Sequence, residues 1–291
     1  MRVTNMYMVD LAQQANAKNQ STVAQLSQEV SSGLAVAKPS DNPVAWMEAQ
    51  REKVRSAIND GTGEALQSGI EKLTATDGAL STLSGLVSQA QALAVEGASA
   101  NITSDARANE AQQVNGLLQS ALAAVNSKDV DGTYLLSGTA VNTTPYDTTG
   151  NYQGNSSTVS INSSASSTSQ SSIAGSALNG SVNVIATIGA LATALTNNDL
   201  PGIQGALTNL NTAVSEMSTT RSQVGGMMAS LQSAQSAQQS LQTSLTSSIS
   251  NYTEVDAVQS ASALAQASTV LQVSQSVTQK VLELLTPPAT A

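Results

Sequence analysis

The feature that most constrains this chain is a pair of thin apolar stripes, one near each end, written in the three-and-four spacing of an α-helix. Between Ile249 and Leu285 the stripe is Val270, Val273, Val277, Val281 and Leu284, with Gln, Ser and Thr filling the other faces. Between Met8 and Leu34 it is Met8, Ala12, Ala15, Asn19, Val23, Leu26 and Val30, with Asn19 its one polar member. A stripe this narrow buries few large side chains, whereas every residue that becomes ordered loses backbone entropy. The expectation is that both ends are poorly ordered in the free monomer and become helical on pairing with each other and with neighbouring subunits.

Composition explains why the middle must also be slim. Aromatic residues make up 2% of the 291 positions, with no Phe and a single Trp46. That is too little to fill a large compact core, and the abundance of Ala, Ser, Gln, Leu and Val favours long helical pairs in close approach. A net charge of −9 argues against nucleic acid as a partner. The absence of Cys and His removes thiol catalysis, disulfides, Cys/His zinc sites and Ser–His triads, and no cofactor site is expected. Zero Cys fits a protein that must not cross-link on its way out of a cell. The first ten residues lack the apolar core of a cleavable secretory signal. No run of about 20 apolar residues is present, so no membrane insertion is expected.

Along the chain, Gly33 suits the C-terminal cap of the first helix, and Lys38-Pro39-Ser40-Asp41-Asn42-Pro43 reads as a hinge turn. Pro39 stops the helix before it, Ser40 or Asp41 can cap the next one, and Pro43 fits its first turn. The charged cluster Arg51, Glu52, Lys53 and Arg55 reads first as a solvated face with local ion pairs, and second as a polar contact between subunits. Asp60-Gly61-Thr62-Gly63 is expected to loosen this helix, whose spacing resumes through Leu66, Leu73, Leu80 and Leu83. Ser104 is expected to cap a further helix after a break at 97–103. From Asp129 the texture changes: a short strand between Gly132 and Gly138, turns around Pro145-Tyr146 and Tyr152, then a serine-rich stretch with a weak strand at Val159 and Ile161. Helical spacing returns at 182–195, breaks before Pro201 and persists to the C-terminal stretch, with Gly225-Gly226 an interruption and Pro287-Pro288 the end.

The chemistry-bearing motifs are weak. Asp129-Val130-Asp131-Gly132 places its glycine too early for a calcium loop and has no closing Glu. Gly61-Thr62-Gly63 lacks the strand and further glycine of a nucleotide site, and the Asn-x-Ser/Thr matches are chance in so Asn- and Ser-rich a chain. Carboxylate pairs such as Glu254 and Asp256 read as assembly or solubility charges, so no enzyme is expected.

Several segments in order carry a family resemblance. Ser31-Ser32-Gly33 followed by Lys38-Pro39-Ser40-Asp41-Asn42-Pro43-Val44-Ala45 resembles the signature turn of the flagellar hook–filament junction proteins, or hook-associated protein 3, of the flagellin superfamily. Asp131 to Thr139, Thr144-Pro145-Tyr146, Tyr152-Gln153-Gly154 and Arg221 to Gly226 are similar to further segments of that family, in the same order. The chain departs from it at Asn42, where a second aspartate is usual, and in the serine-rich centre. Flagellin shares the terminal architecture and is the competing resemblance, although the prolines at 39, 43 and 145 are untypical of it. A secreted helical adhesin or effector is the reading outside the flagellum.

The resemblance implies a mainly α fold: a long antiparallel helical rod with both termini at one end, a flagellin-like terminal coiled coil, and a small β or irregular central insert. The expected divisions are an assembly helix and turn at 1–43, an outgoing limb at 44–128, a serine-rich tip at 129–181, a return limb at 182–248 and a C-terminal assembly helix at 249–291. It also implies a secreted structural subunit at the hook–filament junction, exported with the help of a chaperone. Its partners would be a ring of identical copies, flagellin and the adjacent hook-associated protein. The expected assembly residues are Met8, Val23, Leu26, Val30, Val270, Val273, Val277, Val281 and Leu284.

Overall fold

The computed structural model describes the backbone at 2–164 and 167–285, and side chains at 6–163 and 167–283. The fold is mainly α. In chain order it runs α1 (Arg2–Ser32), α2 (Pro43–Gly97), α3 (Ser104–Val125), β1 (Ser160–Ser164), β2 (Ser167–Gln170), a 3-10 turn (Gly175–Leu178), α4 (Val184–Thr196), α5 (Leu200–Thr253) and α6 (Ala257–Leu285). Two compact units are formed, one from Met1–Ala57 with Gln242–Ala291 and one from Ile58–Leu241. Pro287-Pro288, expected to end the last helix, lie outside the described residues.

The second unit owns the hydrophobic core. Leu66, Leu73, Leu80, Leu83 and Val87 of α2 are fully buried with Ile203, Leu210, Ala213, Val224 and Leu231 of α5. Each large side chain buried this way contributes about 1.5–3 kcal/mol. Bonds from Arg221 to both carboxylate oxygens of Asp77, 2.8 and 3.1 Å, and from Gln235 to Gln67, 2.8 Å, fix the antiparallel register at the surface. The Arg221 guanidinium holds the Asp77 carboxyl below its usual range. α3 and α4 close this core with Val114, Ala121, Ile185, Ile188 and Leu191.

Neither glycine pair interrupts its helix. α2 passes through Gly61-Thr62-Gly63 and α5 through Gly225-Gly226 without a break. A mid-helix glycine costs about 1 kcal/mol against alanine, and the buried residues flanking each pair outweigh that. The C-terminus of α2 ends against a buried arginine. Arg107 Nε donates to the Gly97 carbonyl and Nη2 to that of Ser99, both at 2.8 Å, which satisfies groups that a helix end leaves bare. Its Nη1 donates to Asn198 Oδ1. Glu110, also buried, leaves Oε2 without a hydrogen-bond partner. Burial pushes its carboxyl above the ordinary value, Glu96 adds to this and Arg107 opposes it. Thr103, one residue before the expected Ser104, caps α3 by accepting from the Ala106 amide.

The centre of the sequence is better built than its serine content suggests. Gly132 and Gly138 have positive φ, so the segment between them forms no strand and makes isolated bridges, Lys128 to Tyr134 and Ser137 to Ala174. Tyr146 is buried, donates its hydroxyl to the Gly175 carbonyl at 2.7 Å and lies 5.4 Å from the Tyr152 ring. The few aromatics are concentrated where helices cannot supply a core. β1 pairs antiparallel with β2, and this hairpin lies against the long helices: Ile161 covers Gly69 so closely that a Cβ there would come within 2.7 Å, and Gln238 donates to the Ser163 carbonyl at 3.0 Å. Asp129 spends its carboxylate on the amides of Asp131 and Thr133 and faces Lys72 at 3.9 Å. A loop satisfied from within in this way has little left to offer a cation.

Candidate assembly surface

In the first unit α1 packs along α6. The covered positions of α1 are Val9, Ala12, Asn16, Asn19, Val23, Leu26 and Glu29, each half-buried. Those of α6 are Ser260, Leu264, Ala267, Leu271, Ser274, Thr278 and Val281. Both follow alternating steps of three and four, as a two-helix seam requires. The seam is polar along much of its length: Asn16 Nδ2 donates to Thr278 Oγ1 at 2.8 Å, while Asn16 Oδ1 is buried with no partner.

The expected assembly residues divide between two faces. Val23, Leu26 and Val281 lie in the seam inside the molecule. Val270, Val273 and Val277 lie on the other side of α6 and are 54%, 56% and 51% exposed; Met8 and Val30 are exposed on α1, as is Leu11. The side chain of Leu284 lies outside the described residues. Within this unit the covered stripe mixes Asn16, Asn19, Ser260, Ser274 and Thr278 among its apolar residues, while three valines of α6 stay outside it.

A compact joint connects this pair to the helices that follow. Gly33, with φ of +72°, ends α1 through a bond from its amide to the Glu29 carbonyl. The chain then pairs with the start of the last segment: the Ala35 amide donates to the Thr253 carbonyl at 2.8 Å and the Val255 amide to that of Gly33 at 3.1 Å. Leu34 and Glu254 form an antiparallel bridge. This break between α5 and α6, where the sequence reads as continuous helix, is capped by Asp256 Oδ1 accepting from the Val258 and Gln259 amides.

In the hinge turn, Asp41 and Asn42 have separate tasks. Asp41 Oδ2 accepts from the amides of Ala37 and Lys38, both at 3.1 Å, and so closes the loop around Pro39 and Ser40. Asn42, not Ser40 or Asp41, caps α2, its Oδ1 accepting from the Ala45 amide at 3.1 Å ahead of Pro43. Asparagine serves as well as aspartate in that position. Among the described residues no group of three or more acidic side chains could hold a metal, and no helix is long and apolar enough to cross a membrane.

Comparison with known proteins agrees with this architecture. Residues 3–141 match the bacterial flagellin N-terminal helical region. The flagellar hook-associated protein 3 of Salmonella typhimurium is 26% identical over 155 residues, 53% of this chain, and the match spans only about half of that relative, 49%. A solved Vibrio parahaemolyticus chain described as a flagellar hook-associated protein superimposes with a TM-score of 0.68 at 16% identity, covering 74% of this chain and 100% of its own. Hook-associated protein 3 of Legionella pneumophila gives 0.63 at 12% identity, covering 69% and 98%. The chain is thus similar over residues 3–141 to the flagellin N-terminal helical region, and more broadly to flagellar hook-associated protein 3.

Proposed function

We infer that this chain is a structural subunit of the bacterial flagellum that joins the hook, through another hook-associated protein, to the flagellin filament. The observation that carries the reading is the incomplete terminal pair: Val270, Val273 and Val277 are exposed while polar Asn16, Asn19, Ser274 and Thr278 occupy part of the covered seam. A stripe of this kind gains its stability on contact with neighbouring copies, so assembly and ordering of the ends are one step. The subunit leaves the cell unfolded, accompanied beforehand by an export chaperone. It then forms a ring of identical copies with Met8, Val30, Val270, Val273 and Val277 at subunit contacts and Val23, Leu26 and Val281 holding the pair together. The turn Pro39, Ser40, Asp41, Asn42 and Pro43 sets the direction in which α1 leaves α2.

Val277→Asp tests the surface. A carboxylate placed in an apolar contact is strongly disfavoured, so the variant is expected in the medium at wild-type level but absent from isolated flagella; normal filaments would overturn the assignment. A second reading, a flagellin-like filament subunit, draws on the match of residues 3–141 to the flagellin N-terminal region. Purified monomer separates the two, because a filament subunit grows long polymers from seeds and a junction subunit does not.

A further inference from the structure

The start of α2 carries an apolar stripe that stays exposed among the described residues. Val44, Met47, Arg51 and Val54 repeat the three-four-three spacing of a helix–helix seam, and Val44, Met47 and Val54 are 67%, 59% and 59% exposed. The other side of the same turns is occupied inward by Ala49, which is fully buried. The stripe is flanked by cations. Arg51 and Arg55 each bond a glutamate one turn back, Glu48 at 3.0 Å and Glu52 at 3.1 Å, yet their side chains remain 72% and 69% exposed. Lys53 sits over the Trp46 ring at 6.0 Å. Three of the eleven cationic residues of a chain with net charge −9 thus fall within five positions.

The complement to this patch is present on the same protein. Asp60, Glu64 and Glu71, spaced four and seven apart, share a face of α2. Neither Asp60 nor Glu64 forms an ion pair with any described cation. On their own helix Asp60 stands five and nine residues from Arg55 and Arg51, and Glu64 nine and thirteen, so neither has the three- or four-residue spacing that lets side chains pair along one helix face.

We propose that the Val44–Met47–Val54 face with Arg51 and Arg55 docks a second copy of this chain, its α2 parallel and displaced so that the neighbour's Asp60 and Glu64 meet the two arginines. The apolar residues supply the burial and the charges fix the offset, the usual division of labour in a helix seam. This contact rests on the reading of the chain as an assembling subunit and adds a second row of contacts, on α2, to the one at the ends.

The absence of native cysteine makes the test clean. A chain carrying Val54→Cys and Glu64→Cys is oxidised in isolated flagella and in dilute monomer. The two positions on one helix are too far apart for an internal disulfide, so the expected result is a ladder of cross-linked copies in flagella, none in monomer and none with either substitution alone. In parallel, Arg51→Glu with Arg55→Glu lowers incorporation several-fold, and adding Asp60→Lys with Glu64→Lys restores it. A wild-type chain missing from flagella would overturn the subunit reading and this contact with it. A chain present in flagella with no ladder, or charge reversal without rescue, would overturn this contact alone.

Discussion

The α2–α5 core and the α1–α6 pair are both two-helix seams, yet they are built on opposite principles. In the first, Leu66, Leu73, Leu80 and Leu83 have no exposed surface and the polar ties, Asp77 to Arg221 and Gln67 to Gln235, lie at the rim. In the second, the best-covered side chains are Ser260 and Thr278, and the valines of α6 at 270, 273 and 277 face out. Equal helical spacing therefore does not mean equal burial: one seam covers its large apolar side chains fully, while the other covers them by half and leaves three valines exposed.

The contrast can be broken most directly at Leu80. Leu80→Ala leaves a cavity in the complete seam and is expected to cost about 2–5 kcal/mol, whereas Leu271→Ala in the half-buried seam is expected to cost about 1 kcal/mol or less. Thermal unfolding of the monomer measures both, and equal losses would erase the distinction. The next largest effect is a gain. Asn16→Leu with Thr278→Val removes both partners of the covered polar contact together with the unpaired Oδ1. It should strengthen the terminal pair by about 1 kcal/mol, read as roughly fivefold slower hydrogen exchange in α1 and α6.

The smallest effect lies at the far end of the complete seam, where Glu110 is the exception to its apolar rule. Its carboxyl titrates above the ordinary range in the fold because burial disfavours the charged form. The stability it contributes is therefore fully present below the ordinary carboxylate range and is lost as pH rises through the raised value. Glu110→Gln should accordingly raise the melting temperature slightly at pH 7, with the gain disappearing as the solution is acidified. A gain that persists unchanged at low pH would mean that charge at Glu110 is not what weakens this corner.

These differences also explain what was legible in the sequence. The leucine ladder of α2 is plain because its spacing and its burial coincide. In the terminal pair they do not: counting apolar residues selects Val270, Val273 and Val277, whereas the stripe that meets α1 includes Ser274 and Thr278, which no hydrophobic pattern singles out. The glycine pairs at 61–63 and 225–226 look like breaks, since local propensity is visible in the sequence and tertiary burial is not. The break at Glu254 to Asp256 is hidden in the sequence for the converse reason. Helical spacing runs across it, and only Asp256, a good N-cap residue, marks the restart. Tyr146 and Tyr152 read as turn residues in the sequence, but their tilted contact in a small core is tied to Gly175, distant in sequence.

The bridge between Leu34 and Glu254 has a mechanical meaning. The two polypeptide crossings at this joint are stitched by amide-to-carbonyl bonds, from Ala35 to Thr253 and from Val255 to Gly33. A load applied to one tail is thereby handed to the other, and torsion of the tails reaches both long helices at once. A strap made of two narrow cords tied in this way resists fraying one cord at a time.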